Sequence, residues 1–189
     1  MVLRLGTLNV GSLTGRSMEI AEVLECRRID ICCLQETRWK SNGVCHVNSD
    51  REKYKLFWNG QKTAKNGVGI FVREPLAQEV LDINRINSRL MWIKLRIEKQ
   101  TKIIFSAYAP QTGESEEIKN DFWTAFSDTI STIPKSETIL IGGDLNGHVG
   151  EKTDGLDNVH CGFGYGKRNE DGNRILEFAE SHGFCSLNS

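Results

Sequence analysis

Short apolar runs, each stopped by a polar cluster, set the rhythm of this chain, and the period within each run decides the element it predicts. Residues 2–10 read as a first strand ending at Asn9, followed by a polar loop over 11–17. Ser17 is placed to cap a helix in which Ile20, Val23 and Leu24 recur at helical spacing. Residues 29–34 form a second apolar run. The pattern then turns to β, with short strands expected at 54–58, 67–72 and 79–83. Met91, Ile93, Leu95 and Ile97 alternate with Trp92, Lys94 and Arg96, the mark of a half-buried strand, and a turn at 99–101 leads into a strand over 103–108. The whole β stretch reads as an antiparallel meander. Pro110 closes it, because proline cannot donate to a ladder.

Ile118, Phe122, Ala125, Phe126, Thr129, Ile130 and Ile133 then trace one helical face up to Pro134. Thr138, Ile139 and Ile141 are β-branched and suit a buried strand over 138–141. Seven glycines between 147 and 172 predict a long loop. Ile175, Leu176, Phe178 and Ala179 mark a last helix closed by Gly183, and 184–187 begins another strand. Strands with helices in two blocks predict one α+β domain over 1–189. Its layout is an αββα sandwich of four layers, two mostly antiparallel sheets packed face to face with helices outside.

Composition narrows the class. The 189 residues are 39% hydrophobic and 26% charged, as in a soluble globular chain, and no apolar run approaches the roughly 18 residues that span a bilayer. The N-terminus lacks the basic and apolar segments of a signal peptide, which predicts an intracellular protein with no membrane partner. The six cysteines (26, 32, 33, 45, 161 and 185) are then expected as free thiols, in a spacing that fits no zinc pattern. A net charge of −1 means that any nucleic-acid contact must rest on local positive charge.

Chemistry gathers at strand ends. Asn9, Glu36, Tyr108 and Asp144 each lie at or just beyond the C-terminal end of an expected strand, and Asn146 follows two residues later. Gly142 and Gly143 predict a tight turn or a close approach; Asp144 and Asn146 share a side if the chain stays extended. An Asx-rich turn is the alternative there, and a salt bridge to Arg38 is the alternative to metal ligation for Glu36. Together the residues suit metal-assisted phosphodiester hydrolysis.

In order, Thr7-Leu-Asn-Val10, Leu34-Gln-Glu-Thr37, Tyr108-Ala-Pro110 and Gly142-Gly-Asp-Leu-Asn146 resemble the endonuclease/exonuclease/phosphatase superfamily over essentially the whole chain. Within it, the stretch Lys167-Arg-Asn-Glu-Asp-Gly-Asn-Arg174 is similar to the endonuclease domains of RTE/BovB-type LINE retrotransposons and the related craniofacial development protein 2-like frames. The resemblance implies a Mg²⁺-dependent DNA endonuclease that nicks its substrate in the nucleus, with Mn²⁺ as a possible substitute. It implies Glu36 as metal ligand with Asn9 beside it, Asp144 as the residue that activates water, and Tyr108 and Asn146 on the scissile phosphate. Arg16, Arg38, Lys40, Lys62, Lys65, Lys167 and Arg168 would meet DNA; no protein partner is legible. An inactive remnant with weak DNA or metal binding, and a phosphatase, are the alternatives. Gly11 stands where many relatives carry Asp. The resemblance also implies last strands, with an Asp and a Ser-Asp-His motif, that are missing here: the chain stops at 187–189. Ser181-His182-Gly183 reads instead as a helix C-terminus.

Overall fold

A computed structural model describes residues 2–153, 155–156, 158–160 and 164–187; Cys161 and Gly162, both named above, lie outside the described residues. The fold is α+β, and the described residues form two mixed sheets and three α-helices. The chain divides into two compact units, Met1–Tyr108 with Pro134–Asp144 and Ala109–Ile133 with Leu145–Ser189. Among the described residues, no helix is long and apolar enough to cross a membrane.

The first unit holds both sheets. One runs β1 (Leu5–Asn9), β2 (Ile31–Gln35), β5 (Val68–Arg73), β4 (Lys53–Asn59), β3 (Asn42–Asn48), and the other β6 (Val80–Asn87), β7 (Leu90–Ile97), β8 (Gln100–Tyr108), β9 (Thr138–Asp144). Period-two alternation sends Ile31, Cys33, Ile70 and Val72 to one face, where they share a core with Met91, Ile93, Leu95 and Ile104 of the second sheet. The sheets therefore pack face to face. Cys32, Leu34, Leu56 and Phe71 take the other face, under Ile20, Ala21 and Leu24 of α1 (Ser17–Cys26). Cys32 and Cys33 thus serve opposite faces of one buried strand. Ser17 is the first helical residue and Arg16 takes the cap position without a side-chain cap bond; Ala21 fills the core place expected of Val23, which is 45% exposed.

Three features depart from the pattern. The expected meander splits after β5, where a short 3-10 turn, Leu76–Glu79, carries the chain to the other sheet. Two neighbouring pairs, β1 with β2 and β8 with β9, are parallel, so each sheet is mixed. β3 escaped notice because it is an edge strand, never fully buried apart from Val47, and polar positions such as Asn42, His46 and Asn48 blur its alternation.

The second unit holds α2 (Glu116–Ser131) and α3 (Glu170–His182). Ser115 caps α2 by accepting from the Ile118 N–H at 3.4 Å, and Lys119, Phe122, Phe126 and Ile130 form its buried face. α3 starts five residues before Ile175 because Asn169 caps it, and Gly183 closes it with φ 71°. Val149, Val159, Ile175, Leu176 and Ala179 make this unit's core. The strand expected over 184–187 is a single parallel bridge, Ser186 with His160.

Candidate active site

Parallel pairing aligns strand ends. Because β1 and β2 run together, Asn9 lies beside Gln35 with Glu36 next along, and because β8 and β9 run together, Tyr108 lies beside Asp144. An antiparallel neighbour would have sent one residue of each pair to the far end of the sheet. The two sheets are joined at this rim by the Asn9 Nδ2–H, which donates to Asp144 Oδ2 at 2.9 Å, while Asn9 Oδ1 accepts from the Gly11 N–H at 3.0 Å.

Below the rim, a polar ladder that is buried at Gln35 and Ser106 ties the sheets again. The Thr7 hydroxyl donates to Gln35 Oε1 at 3.2 Å, Gln35 Nε2 donates to Ser106 Oγ at 3.4 Å, and Ser106 Oγ donates to the Leu34 carbonyl at 2.9 Å. A satisfied buried network rigidifies the groups above it. Gly142 and Gly143 belong to this packing. β9 runs straight through them to Asp144, so they form no turn; a Cβ on Gly142 would come within 2.8 Å of Cys33 Sγ and one on Gly143 within 2.5 Å of the Ala107 carbonyl oxygen. The close approach expected of them is real.

Glu36 and Arg38 form an ion pair, with Glu36 18% and Arg38 51% exposed along their side chains. Both residues take left-handed backbone, φ 59° and 54°, and the buried Thr37 between them is held by its N–H to the Gly67 carbonyl. Hydrogen bonding to Glu36, then its charge, raises the Arg38 guanidinium above its ordinary range, and Tyr108 adds to the effect. Tyr108 itself is buried, at 3% exposure, with the Arg89 guanidinium 5.1 Å from its ring centre and Arg89 Nη1 donating to its carbonyl at 3.3 Å. Arg89, in the turn between β6 and β7, and the Gln35–Ser106 ladder carried no signal in the sequence pattern.

The remaining basic residues divide. Arg16 is engaged by Glu19 and by the Val10 carbonyl, whereas Lys40, Lys62 and Lys65 are exposed. In the second unit Lys167 is exposed and Arg168 donates to the carbonyls of Val149 and Lys152. Asn146 also belongs to that unit: φ of 50° breaks the extended path assumed for it, and its Nδ2 donates to the Ala109 carbonyl at 2.8 Å.

The stretch from Lys167 to Arg174 is structural from Asn169 onward. Asn169 Oδ1 accepts from the Gly172 and His148 N–H groups at 2.8 and 3.0 Å. Asp171 pairs with Lys119 at 3.0 Å, both buried, and Arg174 binds Glu116 and Asn120. A Cβ on Gly172 would meet the His148 carbonyl oxygen at 1.9 Å. His160 is buried with Nε2 2.7 Å from the Gly150 carbonyl, and His182 packs on Phe178 and Phe184 with Nε2 3.1 Å from Ser127 Oγ.

The Endonuclease/Exonuclease/phosphatase family matches residues 6–165. Craniofacial development protein 2 of Bos taurus is 25% identical over 186 residues, 98% of this chain but only 31% of that protein, so this chain spans about a third of its relative. Among solved structures, the endonuclease domain of TRAS1, a telomere-specific non-LTR retrotransposon, has a TM-score of 0.61 at 15% identity, covering 100% of this chain and 74% of that one. The AP endonuclease LMAP from Leishmania major has a TM-score of 0.64 at 13% identity, over 95% of this chain and 66% of that one. The fold is the one these endonucleases share, and the chain belongs to the endonuclease/exonuclease/phosphatase family.

Proposed function

We propose that this member of the family is a Mg²⁺-dependent DNA endonuclease of retrotransposon origin that nicks one strand, and hence works in the nucleus. The observation that carries the reading is the Asn9–Asp144 hydrogen bond, which orients a carboxylate at the common end of two parallel strand pairs. Asp144, so held, would orient the attacking water and take its proton as oxygen bonds to phosphorus and the bond to the leaving oxygen breaks. Arg38, on which Tyr108 acts electrostatically, and Arg89, over the Tyr108 ring, would offset the charge that builds on the phosphate. A phosphate contact by Asn146 rests on its motif alone.

Among the described residues no three His, Cys, Asp or Glu side chains gather as a metal cluster. Mg²⁺ does not require one, since it commonly binds through one or two carboxylates, several waters and substrate phosphate. Glu36, partly exposed and paired with a half-exposed arginine, fits that role, with Asn9 supporting its surroundings. A Mg²⁺ or Mn²⁺ ion held there would supply a Lewis acid to the phosphate.

Isothermal titration with Mg²⁺ and Mn²⁺ tests the assignment. Glu36→Gln is expected to lose binding, and Arg38→Gln to bind more tightly because the carboxylate is freed of its competing guanidinium. Equal affinity in the parent and both variants would remove Glu36 from the metal site.

A further inference from the structure

A second charged recess lies at the opposite end of the same strands, with a volume of about 390 Å³. That is within the roughly 300–1,000 Å³ usual for small-ligand pockets. It is lined by Arg4, just before β1; Asp30, just before β2; Arg73, at the end of β5; Glu25 of α1 and Arg28 in the turn after it; and Arg51 and Glu52 in the β3–β4 turn. Among the described residues, Val2 is the one apolar residue that lines it, and the other seven are charged.

The charges in this recess are unevenly matched. Buried Asp30 is fully used: one oxygen accepts from the Arg4 backbone N–H at 2.8 Å and the other from Arg73. Glu52 holds the second arm of Arg73 at 3.3 Å. Glu25 accepts from the Arg51 backbone N–H at 3.1 Å, and the Arg51 charge acts on it as well. The acids thus fix Arg73 and the Arg51 turn. Among the described residues, no acid is paired with the guanidiniums of Arg4 and Arg28. Among the described lining residues, four arginines face three carboxylates.

We propose that this recess is an anion site that takes a phosphate group, free or esterified in a nucleic-acid backbone, on Arg4 and Arg28. Guanidinium forks match phosphate oxygens in pairs, and Arg73, already locked by two acids, supplies a rigid wall. The site is separate from the rim: β1 and β2 each place five residues between the two ends, roughly 16 Å at about 3.3 Å per residue. The proposal therefore stands whether or not the rim hydrolyses DNA.

The test is titration with inorganic phosphate and with a short single-stranded oligonucleotide, without divalent ions and at low salt. Parent protein, the Arg4→Gln/Arg28→Gln double variant, an Arg4→Lys/Arg28→Lys variant and Lys135→Gln are compared. The glutamine variant should melt as the parent does, since neither guanidinium holds an acid, and should lose at least tenfold in phosphate affinity. The lysine variant should keep part of it, and Lys135→Gln, at an exposed lysine outside both sites, should keep all of it. If the oligonucleotide also weakens, with its salt slope reduced by about 0.7 as for one phosphate on a single strand, the ligand is a backbone phosphate. If only inorganic phosphate weakens, it is a free one. Unchanged phosphate affinity in the glutamine variant, an equal loss in Lys135→Gln, or no phosphate binding by the parent overturns the proposal.

Discussion

Two stretches dense in Asp, Asn and Gly look alike on paper and end in opposite circumstances. In Gly142–Asn146, the glycines let β9 lie against Cys33 and Ala107, and Asp144 comes out at a strand end where Asn9 meets it from the other sheet. In Asn169–Arg174, the polar groups serve packing: a helix cap, a buried ion pair, a glycine against a carbonyl and an arginine clamped by Glu116. Residue type does not separate a site from a joint. What separates them is whether the partners are supplied by the immediate packing or by groups gathered from distant strands at a reachable rim.

Asp144→Asn should have the largest effect. Plasmid nicking is expected to fall by about 10² to 10⁴-fold while the melting temperature and DNA binding stay as in the parent, because only proton transfer is removed. Activity within threefold of the parent would erase the contrast with Asn169–Arg174.

Gly172→Ala tests the other side. Its Cβ would sit 1.9 Å from a backbone carbonyl, so the cost should reach or pass the roughly 1–3 kcal/mol of ordinary overpacking. Urea unfolding should show early loss of α3. An unchanged midpoint would mean that the α3 start is not tightly packed.

Alkaline pH sharpens the comparison between units. Burial pushes Cys32 and Tyr54 in the sandwich up to about 12, whereas the unfolded thiol ionises near 8.5. A raised folded value means stability that is complete below the unfolded pKa and declines as pH climbs toward the folded one. Lys119 is raised too, chiefly by its hydrogen bond to Asp171, so its contribution holds until above about 10.4. Between pH 8.5 and 10, pulse proteolysis should find fragments from the first unit weakening before α2 and α3. Equal weakening of both units would contradict the assignment.

Asn169→Ala is the mildest change. Loss of one cap should cost about 1 kcal/mol, read as a small drop in denaturation midpoint without any change in nicking.

Much of this was legible in the sequence. Among the described residues, apolar periodicity located the three α-helices and all strands but β3, though not the 3-10 turn Leu76–Glu79, since burial imposes its period on whatever residues fill it. The polar residues ending β1, β2, β8 and β9 stood out because each interrupts an apolar run. Tertiary structure decided the rest. Parallel pairing of β1 with β2 and of β8 with β9 depends on partners brought together by crossover connections, and no local pattern encodes the direction of a neighbour. That pairing is what turns four separate strand ends into one rim. The same holds for Arg89 on Tyr108, for the Gln35–Ser106 ladder, and for Asp171, whose partner Lys119 lies 52 residues away in the chain. Local sequence determines what a residue can offer; only the packed chain determines which groups remain to be used.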